Sequence, residues 1–172
     1  MIRKLVRCAI CGVSRLLQHA SGESFHTLDA KFRVFLPKRF QESLDRDAEG
    51  NLTAILTRGF EQSLFLFSER GFAGVLSRLE TQPFGGEELR KMQRLFFSNT
   101  HTCQLDASGR LLLPEKLRRF ARIEREVVMI GVAERVEIWD RKEWEKFESE
   151  NEGDFDELDV VLVGKHARPT EG

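Results

Sequence analysis

Apolar runs along the chain are short and occur in pairs. The first half contains "AILT" (54–57) and "SLFLF" (63–67), and the second contains "EVVMIG" (126–131) and "RVEIW" (135–139). All four are rich in aliphatic, β-branched or aromatic residues, and a polar turn separates the two members of each pair. The pattern therefore predicts one β-hairpin in each half of the chain.

Helical spacing appears in three places. Residues 69–79 and 141–149 follow the two predicted hairpins, and we expect each to form a helix. The segment "GGEELRKMQRLFFSN" (85–99) has glutamates in its first turn and apolar residues at helical spacing: Leu89, Met92, Leu95 and Phe96. We expect this third helix to link the two halves.

A repeat connects the halves more closely. "LDAKFRVFLPKRF" (28–40) and "LDASGRLLLPEKL" (105–117) are identical at six of thirteen positions. In each copy a strand leads into a turn that starts with Asp, a second strand leaves from an Arg, and a proline opens a short helix. Residues 77 apart correspond: Asp29 with Asp106, Arg33 with Arg110, and Pro37 with Pro114.

The repeat predicts an α+β pseudo-dimer. One copy, of about 45 residues, is too small to bury its own strands well, whereas two copies can cover each other. We expect five segments: an N-terminal extension (1–21) and an acidic C-terminal tail (150–172), both flexible, a first unit (22–84), a linking helix (85–99) and a second unit (100–149).

Composition is that of a globular protein, with 41% hydrophobic and 32% charged residues. The net charge of −1 hides an asymmetry, because Asp140 to Asp159 has ten acidic and three basic residues. The rest of the chain is therefore basic. No apolar run approaches the ~20 residues of a membrane span. The N-terminus starts like a signal peptide, but Arg7 and Arg15 leave too short an apolar stretch, so we predict a cytoplasmic protein.

Candidate metal and catalytic groups are sparse. Cys8 and Cys11 form a lone CxxC, whereas a structural zinc site needs four ligands. The four histidines are scattered and lie near no nucleophile, base and acid that could act together. We expect no metal, no cofactor, no small-molecule substrate and no enzymatic activity.

The Asp-x-x-x-Arg turns are the candidate site. Gly109 suits a positive φ angle, Asp106 can accept backbone N–H groups, and a carboxylate can orient an Arg. Such a pair can also do no more than staple a turn. Lysines near both copies, Lys31, Lys38 and Lys116, favour a surface for a phosphate backbone, although a solvated helix face would also carry them.

The repeat and the strand motifs together resemble the MraZ family of bacterial proteins. The likeness rests on "GESFHTLDAKFRVFLPKRF", "LTRGFEQSLFLF", "RLFFSN", "LDASGRLLLPEKLR" and "VVMIGVAERVEIWDRKEWEKF". It implies two SpoVT/AbrB-like units, each a swapped-hairpin β element. It also implies a ring-shaped homo-oligomer, an octamer or larger.

The resemblance implies a function as well: a nucleoid-associated transcriptional regulator that binds double-stranded DNA. Its target would be direct repeats upstream of the division and cell-wall gene cluster, with repression the expected effect. Arg33, Arg110 and Lys31 would face DNA, and Asp29 and Asp106 would structure the turns. A different hypothesis is an antitoxin-like module whose acidic tail binds a basic protein.

The first turn departs from the family pattern at one position. Phe32 stands where the second copy has Gly109. A bulky side chain at positive φ costs on the order of 1 kcal/mol or more. We therefore expect the first turn either to change shape or to expose Phe32, and either outcome would make the two turns differ in their contact with DNA.

Overall fold

A computed structural model of the protein describes residues 22–80 and 86–153. The predicted N-terminal extension, the CxxC pair and the tail beyond residue 153 lie outside the described residues. The chain falls into two compact units divided after Arg141, and each is described by itself. The compact unit that ends at Arg141 holds both copies of the repeat.

The described residues form nine strands and five helices. The strands are β1 (Glu23–Thr27), β2 (Arg33–Phe35), β3 (Asp45–Arg46), β4 (Leu52–Arg58), β5 (Leu64–Phe67), β6 (His101–Gln104), β7 (Arg110–Leu112), β8 (Glu126–Val132) and β9 (Arg135–Asp140). The helices are α1 (Lys38–Gln41), α2 (Glu69–Glu80), α3 (Glu87–Phe97), α4 (Glu115–Phe120) and α5 (Arg141–Asn151). Every predicted element is present, with bounds shifted by at most a few residues. Strand β3 is additional to the elements predicted from the sequence.

The strands of the two copies are exchanged. In the seven-stranded sheet β1 of the first copy pairs with β8 of the second, and β6 of the second pairs with β4 of the first. The hairpins β4–β5 and β8–β9 are joined through the antiparallel pair β5–β9. All of these pairs are antiparallel, and each copy completes the sheet of the other. The predicted α+β swapped-hairpin pseudo-dimer is confirmed.

A pseudo-two-fold axis relates the copies, and strand register locates it. In β5–β9, Phe65 lies opposite Glu137, its own repeat equivalent. In the separate ribbon β2–β7, Val34 lies opposite its equivalent Leu111. Such self-complementary pairing is the intrachain form of an isologous dimer interface. The axis therefore passes through the centre of the ribbon.

The core lies between the large sheet and the ribbon and draws on both copies. The ribbon contributes Val34 and Leu111, and the short helices contribute Phe40 and Leu117. All four side chains are at most 1% exposed. Truncating such a residue to Ala typically lowers the free energy of unfolding by ~2–5 kcal/mol, so a truncation in either copy should destabilise the shared core.

The linking helix α3 leaves apolar surface uncovered. Phe96 stacks on Phe72 with ring centroids 5.9 Å apart, which fixes the helix against the first copy. By contrast Met92, Leu95 and Phe97 are exposed by 42%, 59% and 45%. The helix thus packs one edge against the first copy without fully burying any of its residues, and it leaves a second apolar edge open. No helix among the described residues is long and apolar enough to cross a bilayer.

Candidate nucleic-acid interface

The first Asp-Arg turn is closed by hydrogen bonds to one carboxylate. Asp29 Oδ1 accepts the backbone N–H groups of Lys31 at 2.8 Å and Arg33 at 3.0 Å. Asp29 Oδ2 accepts from the Arg33 guanidinium, with Nε at 2.8 Å and Nη2 at 2.7 Å. One oxygen therefore shapes the backbone, and the other orients the arginine.

The second turn repeats this arrangement. Asp106 Oδ1 accepts the N–H groups of Ser108 and Arg110 at 3.0 and 2.9 Å, and Oδ2 accepts Arg110 Nε at 2.8 Å. The backbone N–H of Gly109 donates to the Asp106 carbonyl at 2.8 Å, as that of Phe32 donates to Asp29 at 2.9 Å. The two turns therefore have the same shape.

The two turns are also bonded to each other. Arg33 Nη1 donates to Asp106 Oδ2 at 3.0 Å, and Arg110 Nη1 lies 3.6 Å from Asp29 Oδ2. Two arginines and two aspartates thus form a closed, electrically neutral ring of ion pairs beside the pseudo-two-fold axis. The side chain of Arg33 is 26% exposed and that of Arg110 is 35% exposed. Arg110, with the longer cross-contact, is the less enclosed of the two.

The ion-pair ring lowers the pKa of both of its carboxyl groups. The pKa of Asp29 falls to about 2, chiefly because the Arg33 backbone N–H and then its guanidinium donate to the ionised form. The pKa of Asp106 is lowered in the same way by Arg110. Both aspartates are therefore ionised at neutral pH, and they hold the arginines in fixed orientations.

At the fourth position of the turn the two copies differ. Gly109 has a φ angle of 74° and Phe32 has a φ angle of 59°, so both adopt the left-handed conformation. Of the two outcomes expected for the first turn, the turn keeps its shape and Phe32 is exposed by 43%. The strain expected of a bulky residue is therefore present, since the turn has not changed to avoid it.

A residue from the opposite copy covers each of these positions. The guanidinium carbon of Arg118 lies 3.5 Å from the Phe32 ring centroid, a close cation–π contact. Gly109 is buried under the Gln41 amide, which a Cβ at Gly109 would overlap. Gln41 and Arg118 are themselves 77 residues apart, so they are equivalent in the repeat. The bulky Phe32 is thus covered by Arg118, and Gly109 is covered by Gln41.

The three lysines predicted from sequence are all exposed. Lys31 lies in the first turn, Lys38 begins α1, and Lys116 lies in α4, where its Nζ donates to the Ser98 carbonyl at 3.2 Å. Two of their repeat equivalents differ in charge, since Ser108 corresponds to Lys31 and Glu115 to Lys38, whereas Lys116 corresponds to the equally positive Arg39. The first turn, with Lys31 in place of Ser108, therefore carries one more positive charge than the second.

Sequence reasoning missed the outward face of the ribbon. Strand alternation buries Val34 and Leu111 and turns their neighbours outward, so Phe35 is 41% exposed and Leu112 is 54% exposed. Period-two reading of "RVF" and "RLL" could have identified both residues as exposed. Among the described residues, no group of three or more acidic, His or Cys side chains could hold a metal ion.

These features define a fused pair of AbrB-like swapped-hairpin units whose two Asp-Arg turns meet on one surface. The family model described as "MraZ protein, putative antitoxin-like" matches residues 19–95 and again residues 96–164. The chain belongs to the MraZ family.

Several relatives carry the name "Transcriptional regulator MraZ". The protein from Moorella thermoacetica is 39% identical over 142 residues, which is 83% of this chain and 95% of the relative. Those from Desulforamulus reducens and Carboxydothermus hydrogenoformans are 38% and 36% identical over 83% of this chain, and over 96% and 95% of their own lengths. The likeness therefore spans both repeats and nearly the whole of each relative.

Proposed function

We propose that this protein is a transcriptional regulator that binds double-stranded DNA through the surface containing its two Asp-Arg turns. The observation that carries the proposal is the match to relatives named as transcriptional regulators across both repeats. The family description contains the words "putative antitoxin-like", but the relatives are named as transcriptional regulators, so the alternative of an antitoxin-like module acting through an acidic tail is not favoured. The regulators' name also supports a function that is not enzymatic.

The charge around the turns supports DNA as the partner. The ring of Asp29, Arg33, Asp106 and Arg110 is neutral as a whole, so it adds little long-range attraction. The exposed lysines at 31, 38 and 116 supply that attraction toward phosphates. The arginines, fixed by the aspartates, are then suited to short-range contacts with guanine edges or phosphates. Attraction and recognition are thereby assigned to different residues.

Assembly of several copies would strengthen this binding. The open apolar edge of α3, formed by Met92, Leu95 and Phe97, supports a homo-oligomer, since exposed apolar patches often mark interfaces. In a ring-shaped oligomer of eight or more copies, each chain would present one pair of Asp-Arg turns. Weak contacts to successive direct repeats in DNA would then add up to tight binding.

The proposed target is the DNA upstream of the division and cell-wall gene cluster, including this protein's own gene, with repression as the effect. Binding there would place the protein in the cytoplasm with the nucleoid. Repeat spacing in that DNA would have to match the distance between neighbouring pairs of turns, a geometric condition that operator mapping can check.

The test is a salt titration of binding to the duplex directly upstream of the protein's gene, with random-sequence DNA as competitor. Lys31→Gln should flatten the dependence of log K on log salt by about 0.9 for each lost phosphate contact. Lys91→Gln is a matched control, because Lys91 is equally charged and exposed but pairs with Glu87 on α3. Its slope should equal that of wild type.

Arg110→Gln tests the turns themselves and should abolish preference for the upstream duplex. Because Arg110 is part of the ion-pair ring, its thermal unfolding must be recorded alongside. Equal binding of wild type to upstream and random duplexes at low salt, with the oligomer intact, would contradict the regulator proposal.

A further inference from the structure

The outward face of the ribbon β2–β7 alternates charge and apolar surface. Arg33 lies directly across from Leu112, and Arg110 lies directly across from Phe35. Each arginine of the ion-pair ring therefore has an exposed apolar side chain as its cross-strand neighbour. The pseudo-two-fold axis places one such pair on each side of the ribbon's centre.

Both apolar side chains are held on the surface by the fold. The intervening residues, Val34 and Leu111, are 0% exposed and fill the core, so strand alternation keeps Phe35 and Leu112 outside. The ring of Phe35 lies near β1 of the large sheet, with the His26 ring centroid 6.2 Å away. Water therefore reaches about half of each apolar side chain.

A double helix offers a matching partner for such a face. A two-stranded antiparallel ribbon fits the major groove, where the thymine C5-methyl is an apolar group among the hydrogen-bonding edges. The Asp-held guanidinium groups can meet guanine acceptors, and an apolar side chain beside each can meet a methyl group. Lys31 and Lys38, at either end of the first strand, provide the positive flanks that a phosphate backbone requires.

We propose that Phe35 and Leu112 contact thymine methyl groups in the major groove, each beside the arginine that lies across from it in the ribbon. The proposal rests on the DNA-binding function proposed above. It assigns base discrimination to two residues of the ribbon that carry no hydrogen-bonding group.

The test compares two versions of the upstream duplex, one made with thymine and one with deoxyuridine, which lacks only the methyl. Wild type should bind the deoxyuridine duplex at least about fourfold more weakly, the effect of one buried methyl group. The double variant Phe35→Ser, Leu112→Ser should bind the thymine duplex more weakly and lose nothing further with deoxyuridine. Both positions are exposed, so the variant should fold, and thermal unfolding checks this.

Phe60→Ser is the matched control, since Phe60 is 66% exposed in the β4–β5 turn and should keep the full response to deoxyuridine. Equal binding of wild type to the two duplexes would overturn the proposal, as would equal losses in wild type and the double variant. Equal losses in wild type and the double variant would indicate that Phe35 and Leu112 contact a protein partner or another feature of the DNA. If wild type shows no preference for the thymine duplex over random DNA, the DNA-binding function itself fails.

Discussion

The two Asp-Arg hairpins have the same backbone and different coverings. In the first, Phe32 occupies the left-handed position and lies against the Arg118 guanidinium. In the second, Gly109 occupies it and lies under Gln41. Since both turns keep the same hydrogen bonds to their aspartates, the carboxylate determines the shape of the turn. The fourth residue determines what the opposite copy must place over it.

The comparison also shows how divergence between the copies is contained. A bulky side chain in the first turn is matched by a long cation at the equivalent of Gln41, so the change stays within one pair of residues. The ion-pair ring, which needs both turns in one geometry, is preserved. Exchanging the members of these pairs therefore tests the comparison directly.

The largest expected effect comes from giving the second turn the residue of the first. Gly109→Phe introduces left-handed strain and forces a ring into the Gln41 amide, so we expect the free energy of unfolding to fall by about 2–3 kcal/mol. Adding Gln41→Arg recreates the first pairing and should restore about 1 kcal/mol. Urea denaturation of both variants measures this. No recovery in the double variant would show that the covering residue is irrelevant.

The next effect concerns acid stability. Because the folded-state pKa of Asp29 is depressed to about 2, its ionisation stabilises the fold above the unfolded pKa near 4. That contribution is lost as pH falls from about 4 toward 2. Asp29→Asn should therefore be less stable than wild type at pH 7, with the difference shrinking toward pH 2.

Thermal unfolding of wild type, Asp29→Asn and Asp106→Asn across this pH range provides the measurement. The pKa of Asp106 is also lowered, chiefly by its bonds to Arg110, so the difference between wild type and Asp106→Asn should shrink in the same direction as pH falls. A difference between wild type and Asp29→Asn that stays constant with pH would mean that Asp29 acts through shape alone.

A smaller effect is expected from the Phe32–Arg118 contact. Arg118→Ala should lower the free energy of unfolding by about 0.5–1 kcal/mol, the range of a cation–π pair. In a Phe32→Gly background the same substitution should leave the free energy of unfolding almost unchanged, because the aromatic ring is absent. A double-mutant cycle gives the coupling energy, and a value of zero would show that the stacked arrangement does not contribute to stability.

The smallest stability effect belongs to the exposed turn residues. Exchanging Lys31→Ser and Ser108→Lys moves one positive charge from the first turn to the second and should change stability by less than about 0.5 kcal/mol. Lys31→Ser alone should weaken the salt dependence of DNA binding, and Ser108→Lys alone should strengthen it. If both single variants had the same slope of log K against log salt as wild type, neither turn would lie near phosphates.

Much of the fold could be predicted from the sequence because the repeat is visible. Two copies too small to fold separately require each other, and this predicts a pseudo-dimer. Gly109 and Asp106 could be assigned to the turn from local chemistry alone. Strand β3 could not, because Asp45 and Arg46 have no apolar alternation and pair with β4 only in the folded chain.

The site was less predictable for a similar reason. Spacing within one motif pairs Asp29 with Arg33, but the bond from Arg33 to Asp106 depends on how the copies meet. The position of Arg118 over Phe32 depends on it too. A comparison of equivalent positions in the repeat would have indicated this contact, since Phe32 replaces glycine and Arg118 replaces glutamine together.

The fusion of the two copies into one chain has a genetic consequence. In a homodimer of separate chains, a single codon change alters both turns at once, so a replacement tolerated in one turn must be tolerated in both. Here a codon change for residue 32 leaves residue 109 untouched. Each half of the ribbon can therefore acquire its own preference for a DNA sequence, and an asymmetric operator can be read by a nearly symmetric fold.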